Sequence, residues 1–421
     1  MPSLRRSSRI LLVAALLCSW IADTTANANP SDFSPANLRR RSGRPDRPPP
    51  QWGPVRKRDG GAPLIVTNLC QQSVWPGIGT QAGTGAGTGG FELKSGGTRK
   101  MTVSNDWQGR VWGRTNCSFN ALGTGASNLN GNNGAGRACQ TGDCGGVLSC
   151  SLTGETPVTL AEFDLEGGVD GKQTFYDISL VDGYNIPMAV RHIPVAGSTD
   201  IPPNLTNCAC IATSDLMVAP VKSGLLGNLS TSEYPIPYES DQTSAKISKW
   251  CPWDCQVTKP TKPGDGVYPY PDDNIQRPAF NPCLSACAKT NSPQDCCTGK
   301  YNDPNVCKAN LYSKSAKKVC PDAYSFAFDD QSSTFIVPSG GGWEIVFCPV
   351  GRSTNILNTF KAEMQALASG GSKAIKIAAQ NLTTINSSTT SSGTRATSDV
   401  GGLGGASVGA LVVVVAWALM W

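Results

Sequence analysis

The 421-residue chain contains a single histidine, His192. Nucleophilic catalysis with a histidine base needs that residue together with a nucleophile motif, and the stretch "RHIP" around His192 offers none. We therefore expect no serine-hydrolase chemistry and interpret His192 as a surface or edge residue. With one histidine and no paired CxxC boxes of the zinc-ribbon kind, we also expect no metal site, and the sequence indicates no cofactor.

The central part of the chain also lacks the basic charge of a nucleic-acid-binding protein. The formal net charge of the whole chain is +5, of which residues 1–28 contribute +2, residues 29–58 contribute +6 and residues 353–421 contribute +2. This leaves −5 for residues 59–352. An acidic globular part disfavours nucleic acid as a partner and suits neutral or cationic partners, sugars among them.

The N-terminal residues carry a targeting pattern rather than a core pattern. Residues 1–28 combine three arginines, a short apolar run and "ANA", which predicts a secretion signal; an N-terminal anchor is the alternative. Residues 29–58 are rich in Arg and Pro and end in "RKR". They are either a disordered pro-segment cut before Asp59 or a basic linker that stays attached.

The C-terminal residues predict a membrane tether. A Ser/Thr-rich stalk precedes small residues near Ser392, and residues 393–421 end in an apolar, uncharged tail. This order is typical of a GPI-attachment signal, with a tail anchor as the alternative. We expect a secreted monomer at the cell surface or wall, held to the plasma membrane by GPI.

Sixteen of the seventeen cysteines lie between Cys70 and Cys348, which indicates a disulfide framework in a secreted chain. Five sequons predict surface glycosylation, at Asn116, Asn204, Asn228, Asn381 and Asn386. Because Cys117 directly follows Asn116, the use of that sequon is open.

Short runs rich in Val, Ile, Thr and aromatic residues, bounded by Gly, Asn and Asp, predict an all-β fold. We assign a flattened antiparallel β-sandwich to residues 59–207 plus 321–352 and a loop-rich, disulfide-stapled second domain to residues 208–320. The stretch "NPCLSACAKT" predicts one short helix in the second domain. Another short helix is expected in "NTFKAEMQALASGG", within the stalk segment 353–392.

Two acidic stretches contain candidate binding or catalytic residues. In "PVTLAEFDLEGG", strand alternation puts Glu162 and Asp164 on the face opposite Phe163, so the carboxylates face out when Phe163 faces the core. In "TFYDISLVDGYNIPM", we place Asp177 on a strand and Asp182 at a turn. An ionised carboxylate inside an apolar strand needs a partner or water. We therefore expect both aspartates to face solvent or to lie beside a positively charged group.

Several motifs in order resemble the thaumatin-like proteins, the pathogenesis-related group that includes osmotin-type defence proteins. The resemblance runs from about Ala62 to Pro349 and rests on "GRVWGRTNC", "CQTGDCGGVLSC", "PVTLAEF", "FYDISLVDGYNIPM", "CPDAYSFAFDD" and "VFCP". It implies a β-sandwich, a disulfide-rich second domain and an acidic cleft between them. The cleft residues that it implies are Arg114, Glu162, Asp177, Asp182 and Asp322. Arg114 would offset the charge of the aspartates, or would form with Asp177 a buried pair that only fixes the sandwich edge.

The resemblance also implies disulfide pairs. These are Cys70–Cys348, Cys117–Cys139, Cys144–Cys150, Cys210–Cys320, Cys287–Cys296 and Cys297–Cys307. Cys283 should pair with Cys251 or Cys255, which leaves Cys208 and the other of those two unassigned. The chain departs from the family at Val337, where a cysteine is usual, and in insertions that lengthen the second domain and the Cys117–Cys139 loop.

Three functions remain open at this stage. The first is binding of cell-wall β-1,3-glucan, with Trp250, Trp253, Tyr268 and Tyr270 as candidate stacking residues. The second is weak endo-β-1,3-glucanase activity, with Glu162 as general acid and Asp182 as base or nucleophile. The third is an antifungal or enzyme-inhibitory role, as the resemblance allows.

Overall fold

The computed structural model describes residues 60–125, 136–151, 153–193, 201–211, 251–257, 282–349, 353 and 355–369. All of these belong to the unit Asp59–Trp421. The predicted signal, the basic segment, the GPI signal with Ser392, and three of the sequons lie outside them. In these ranges, no helix is long and apolar enough to cross a membrane.

The described residues form two sheets of five strands each. The first has the order β3-β1-β10-β7-β8 and the second β2-β4-β5-β6-β9. The strand bounds are β1 Ala62–Asn68, β2 Trp75–Ala82, β3 Thr98–Val103, β4 Gln108–Arg114, β5 Leu160–Gly167, β6 Gln173–Ser179, β7 Met188–Ile193, β8 Cys208–Cys210, β9 Phe335–Pro338 and β10 Gly342–Phe347. Strands β1 and β10 pair in parallel, and the other neighbouring strands of these two sheets pair antiparallel. The predicted all-β fold is confirmed, with one parallel pair that the sequence did not predict.

Aromatic side chains join the two sheets in a common core. Trp343 of the first sheet lies 5.5 Å from Phe163 and 4.3 Å from Tyr176 of the second, measured between ring centroids. Ala161, Phe163 and Leu165 of β5 are buried in this core. The alternation predicted for β5 is therefore correct, and Glu162 and Asp164 lie on the outer face of the second sheet.

Five α-helices occur in the described ranges. Their bounds are α1 Pro203–Thr206, α2 Ala286–Thr290, α3 Leu311–Val319, α4 Ile356–Thr359 and α5 Lys361–Ala368. The helix predicted in the second domain is α2, which starts where the Ser285 hydroxyl accepts the amide N–H of Ala288. The helix predicted after the sandwich is split into α4 and α5 at Phe360, and Phe360, Met364 and Leu367 all pack into the main core.

Three strands were not predicted, and β2 shows why. Its sequence "WPGIGTQA" contains Pro76, Gly77 and Gly79, residues that disfavour strands. A Cβ atom on Gly77 would lie 2.3 Å from the Trp112 indole, so the close packing of β2 on β4 requires glycine at this position. The packing partner therefore overrides the local preference.

Strands β7 and β8 correct two further interpretations. Cys208–Cys210, assigned above to the second domain, pairs with β7 in the first sheet. His192 lies on β7 between β10 and β8, is 3% exposed, and its ring meets that of Trp343 at a centroid distance of 5.0 Å. The interpretation of His192 as a surface or edge residue is therefore wrong.

Disulfides connect the sandwich ends and the second domain. The described residues form Cys70–Cys348, Cys117–Cys139, Cys144–Cys150, Cys210–Cys320, Cys251–Cys283, Cys287–Cys296 and Cys297–Cys307. These include the six pairs that the resemblance implies, and Cys251 is the partner of Cys283. Cys208 and Cys255 lie outside these disulfides and are buried. Val337, in the place of the usual cysteine, is a fully buried core residue.

A carboxylate site on the second sheet

A row of three charged residues crosses the outer face of the second sheet. Arg110 on β4 is the cross-strand neighbour of Glu162 on β5, and Glu162 is the neighbour of Asp177 on β6. We call these three residues the acidic row. Directly opposed residues on adjacent strands have Cβ atoms about 5 Å apart, so the register alone brings the side chains together. Glu162 is 6% exposed and Asp177 is 5% exposed.

Asp182 lies at the turn that follows β6, as predicted. The amide of Gly183, with φ of +90°, donates to the Leu180 carbonyl and closes this turn. Asp182 is partly exposed. Its negative charge favours higher pKa values of both Arg110 and Glu162. Asp182 and Arg110 are therefore the partly exposed members of this group of four, whereas Glu162 and Asp177 are buried.

Burial and mutual repulsion favour the protonated form of these carboxyl groups. Burial raises the pKa of Glu162 to about 7; Asp182 adds to this rise, while Arg110 and a hydrogen bond with Ser179 oppose it. Burial, reinforced by Glu162, raises the pKa of Asp177 well above its usual value. Burial also raises the pKa of Asp182, against the attraction of Arg110. One arginine thus only partly compensates three carboxyl groups.

Two oxygen atoms of the acidic row have unused hydrogen-bonding capacity. Glu162 Oε1 and Asp177 Oδ1 are buried and have no hydrogen-bond partner among the described residues. The nearest arginine contact, Arg110 Nε to Glu162 Oε1, is 3.8 Å, which is too long for a hydrogen bond. Buried carboxylate oxygens are costly without a donor, so this site favours a ligand that brings hydroxyl groups.

Arg114 does not lie with these carboxylates. Its guanidinium donates to four backbone carbonyls, those of Trp75, Pro76, Val147 and Leu148, at 2.7–3.2 Å. Burial lowers the pKa of Arg114 to about 10, and the carboxylate that opposes this fall is Asp143. Arg114 is four residues from Arg110 along β4, about 13 Å. Arg110, not Arg114, offsets the aspartates, and the alternative of a buried Arg114–Asp177 pair does not occur among the ion pairs of the described residues.

Asp322 also has a different position from the one expected. Its carboxylate accepts the Ser353 hydroxyl at 2.7 Å and the amides of Ile356 and Leu357 at 3.0 Å each. These bonds hold the start of α4 against the sandwich. The contacts of Asp322 are therefore those of a structural anchor for the segment after the sandwich.

Tyr324 and Asp330 are neighbours of the acidic row that the sequence analysis missed. The Tyr324 hydroxyl bonds to Asp330 Oδ1 at 2.7 Å and to the Thr334 hydroxyl at 2.5 Å. The charge of Asp330 raises the pKa of Asp177 further, and Asp177 in turn contributes to a raised pKa of Tyr324, after burial. The parallel bridge between Ser179 and Tyr324 brings this segment to the end of β6.

A small, open indentation of about 30 Å³ lies next to Val181, in the turn that carries Asp182. Val181 forms one part of its lining, and Ser285, Tyr312 and Phe326 form others. Four aromatic residues are predicted to stack on sugar rings. Their side chains lie outside the described part of the chain: Trp250, Trp253, Tyr268 and Tyr270.

The sequence contains both arginines but no signal that chooses between them. Arg110 and Arg114 share a face of β4, so both fit the pattern "GRVWGRTNC" equally well. The register distinguishes them, because it opposes Arg110 to Glu162 and Arg114 to Trp75.

The fold and the site together define a β-sandwich with a carboxylate-rich outer face and a loop-rich, disulfide-stapled segment within residues 282–320. The family model described as "Thaumatin family" matches residues 68–349. The chain therefore belongs to the thaumatin family.

Relatives of this chain carry names from plant defence and from glucan hydrolysis. The chain is 36% identical over 296 residues to "Pathogenesis-related thaumatin-like protein 3.5" of Cryptomeria japonica, covering 69% of this chain and 92% of that relative. It is 33% identical over 291 residues to "Glucan endo-1,3-beta-glucosidase" of Prunus avium, covering 68% and 91%. A solved structure, the thaumatin-like xylanase inhibitor TLXI, is 35% identical over 31% of this chain and 75% of that one, with a TM-score of 0.24.

Proposed function

We propose that the protein binds β-1,3-glucan of cell walls through the acidic row and Asp182. The observation that carries this proposal is the pair of buried carboxylate oxygens, on Glu162 and Asp177, that have no donor among the described residues. Sugar hydroxyls are donors of the right kind, and a neutral polysaccharide adds no charge to an already acidic site. The Prunus avium relative, by its name, acts on the same polysaccharide.

The partial exposure of Asp182 gives this site an accessible edge. A sugar approaching from solvent meets Asp182 first and then the more deeply buried carboxyl groups of Glu162 and Asp177. Arg110 limits the net negative charge at this edge. Hydrogen bonds to such carboxyl groups orient a ligand without requiring a metal or a cofactor.

We expect the purified full chain to bind insoluble linear β-1,3-glucan. At pH 8, above the pKa of Glu162, the Glu162→Gln, Asp182→Asn double variant should bind at least about tenfold more weakly, because it loses the ionised Glu162 carboxylate, a stronger acceptor than an amide, and the carboxyl group of Asp182. Sedimentation with the polymer measures the bound fraction, and a reducing-end assay of the supernatant measures released sugar.

The matched control is the Glu155→Gln, Asp170→Asn double variant. It removes one Glu and one Asp carboxylate from exposed side chains outside the acidic row, and it should bind as the wild type does. Equal binding by wild type and the Glu162→Gln, Asp182→Asn variant would contradict the assignment of this site. A wild type that neither binds nor releases sugar would contradict the glucan function and favour the inhibitor class.

Hydrolysis of the bound glucan is a second candidate function, favoured by the raised pKa of Glu162. A carboxyl group with a pKa of about 7 holds a proton near neutral pH and can give it to a glycosidic oxygen. Asp182 then has the role of base or nucleophile. Release of reducing ends by wild type, lost in the Glu162→Gln, Asp182→Asn variant, would make the protein an endo-β-1,3-glucanase.

We propose further that the protein is secreted and held at the cell surface by a GPI anchor attached near Ser392. The support is the order of stalk, small residues and apolar tail in residues 353–421. Phosphatidylinositol-specific phospholipase C should release the protein from intact cells into the medium. Retention after treatment, together with release of a known GPI-anchored marker, would contradict the tether.

A further inference from the structure

A second row of side chains crosses the same face of the second sheet beside the acidic row. Gln108 on β4 opposes Asp164 on β5, Asp164 opposes Phe175 on β6, and Phe175 opposes Ile336 on β9. All four are partly exposed, and we call them the outer row. Residues two apart on a strand share a face and are separated by about 7 Å, so the two rows lie next to each other.

The two polar side chains of the outer row, Gln108 and Asp164, are hydrogen-bonded to each other, but one carboxylate oxygen still has no hydrogen-bond donor among the described residues. The Gln108 side chain hydrogen-bonds to the Asp164 carboxylate. Asp164 Oδ1 is nevertheless buried and has no hydrogen-bond partner among the described residues. Burial raises the pKa of Asp164, with the bond from Gln108 opposing that rise. The outer row thus repeats the unused carboxylate oxygen found in the acidic row.

The aromatic member lies directly beside this carboxylate. The pairing of β5 with β6 is irregular between Asp164 and Gly167. A Cβ atom on Gly167 would lie 2.4 Å from Cδ2 of Phe175 and 2.8 Å from Oδ2 of Asp164. The Phe175 ring and the Asp164 carboxylate therefore both pack against the Gly167 backbone, where a larger residue would collide with them. An apolar ring next to a carboxylate and an amide matches a pyranose, which has an apolar C–H face and a rim of hydroxyls.

We propose that the outer row is a second sugar-contact surface, on which one pyranose ring packs against Phe175 while Asp164 and Gln108 hydrogen-bond its hydroxyls. This inference rests on the proposed function, since the same glucan chain would extend from the acidic row onto the outer row. The spacing of the two rows is about the length of one sugar ring. Binding at the outer row should therefore appear as added affinity for longer oligosaccharides.

Isothermal titration of the full chain with β-1,3-linked glucose oligomers of two to six units tests this surface. Wild-type affinity should rise with oligomer length. Phe175→Leu should bind the longest oligomer about fivefold more weakly than wild type and the dimer equally well, because a stacking contact adds a modest increment. Asp164→Asn, which keeps the size of the side chain, should also lose affinity for long oligomers.

Phe119→Leu is the matched control. Phe119 is a partly exposed aromatic beside Arg114, outside both rows, and its replacement should leave the length dependence unchanged. Wild-type binding with unchanged length dependence in both Phe175→Leu and Asp164→Asn would overturn the outer-row proposal alone. A wild type that binds none of the oligomers would overturn the proposed function and this inference together.

Discussion

Arg110→Leu is expected to destabilise the protein by about 3 kcal/mol at pH 7.5, because it removes the positive charge that compensates a buried acidic group. Burial lowers the pKa of Arg110. Three carboxyl groups oppose this and favour the charged guanidinium, those of Glu162, Asp182 and Asp177. Without Arg110, these carboxyl groups must either stay ionised in a poorly solvated site or take up protons. At pH 5, Glu162 with its pKa of about 7 is already protonated in the folded protein, so the loss should be smaller than at pH 7.5.

Urea unfolding at the two pH values measures this difference without the screening that a guanidinium salt introduces. Arg110→Lys keeps the charge and should recover part of the stability. Arg137→Leu is the matched control, because Arg137 pairs with Glu155 at a distance of 3.3 Å between side chains that are each about half exposed. An exposed pair contributes less than about 1 kcal/mol. A loss in Arg110→Leu that does not change with pH would contradict the electrostatic role.

Glu162→Gln should become more stable than wild type as the pH rises. The pKa of Glu162 is raised from its ordinary value of 4.5 to about 7 in the folded protein. Below pH 4.5 the Glu162 carboxyl is protonated in both the folded and the unfolded protein, so ionisation of Glu162 does not change the free energy of unfolding there. Between pH 4.5 and 7 the unfolded chain releases the proton first, and wild-type stability falls. Between pH 4 and pH 8 the relative stability of Glu162→Gln should therefore rise by about 3 kcal/mol.

Asp295→Asn provides a control of opposite sign. Burial opposes the charged form of Asp295, but hydrogen bonds from Thr290, Ser292 and Asn310 outweigh burial and lower its pKa. The ionised carboxylate of Asp295 therefore adds stability at neutral pH that is lost as the pH falls. Asp295→Asn should be less stable than wild type at pH 7, with the deficit shrinking in acid. Parallel pH profiles for the two variants would contradict the assignment of the raised pKa to Glu162.

The sequence predicts the carboxylates of the site better than their partners. Strand alternation identifies the outer-facing Glu162, and the Asp-Gly dipeptide identifies the turn at Asp182. Neither pattern contains the register between strands, which decides whether Arg110 or Arg114 faces Glu162. The position of Asp322 depends on α4, a contact between segments more than thirty residues apart in the chain. Long-range pairings of this kind are not encoded in local periodicity.

The same distinction holds for the fold. Runs with strong strand preference, such as β1, β5 and β6, are predicted from composition alone. Strand β2 is not, since its glycines serve the packing of Trp112 rather than local preference. The nine-residue helix α3 is also missed, although Tyr312, Ala316 and Val319 recur at helical spacing and are buried. Its lysine-rich sequence conceals that pattern in a segment that otherwise consists of disulfide-stapled loops.

The proposed glucan site requires that the carboxyl groups of Glu162, Asp177 and Asp182 contact a β-1,3-glucan. The most direct measurement is carbon-13 NMR of the side-chain carboxyl groups, assigned by the Gln and Asn variants, during titration with a β-1,3-linked glucose hexasaccharide. These three carboxyl resonances should shift with a common saturation curve, while that of the exposed Glu155 should not move. Saturable binding of the hexasaccharide without a shift of any of the three would contradict the proposed site.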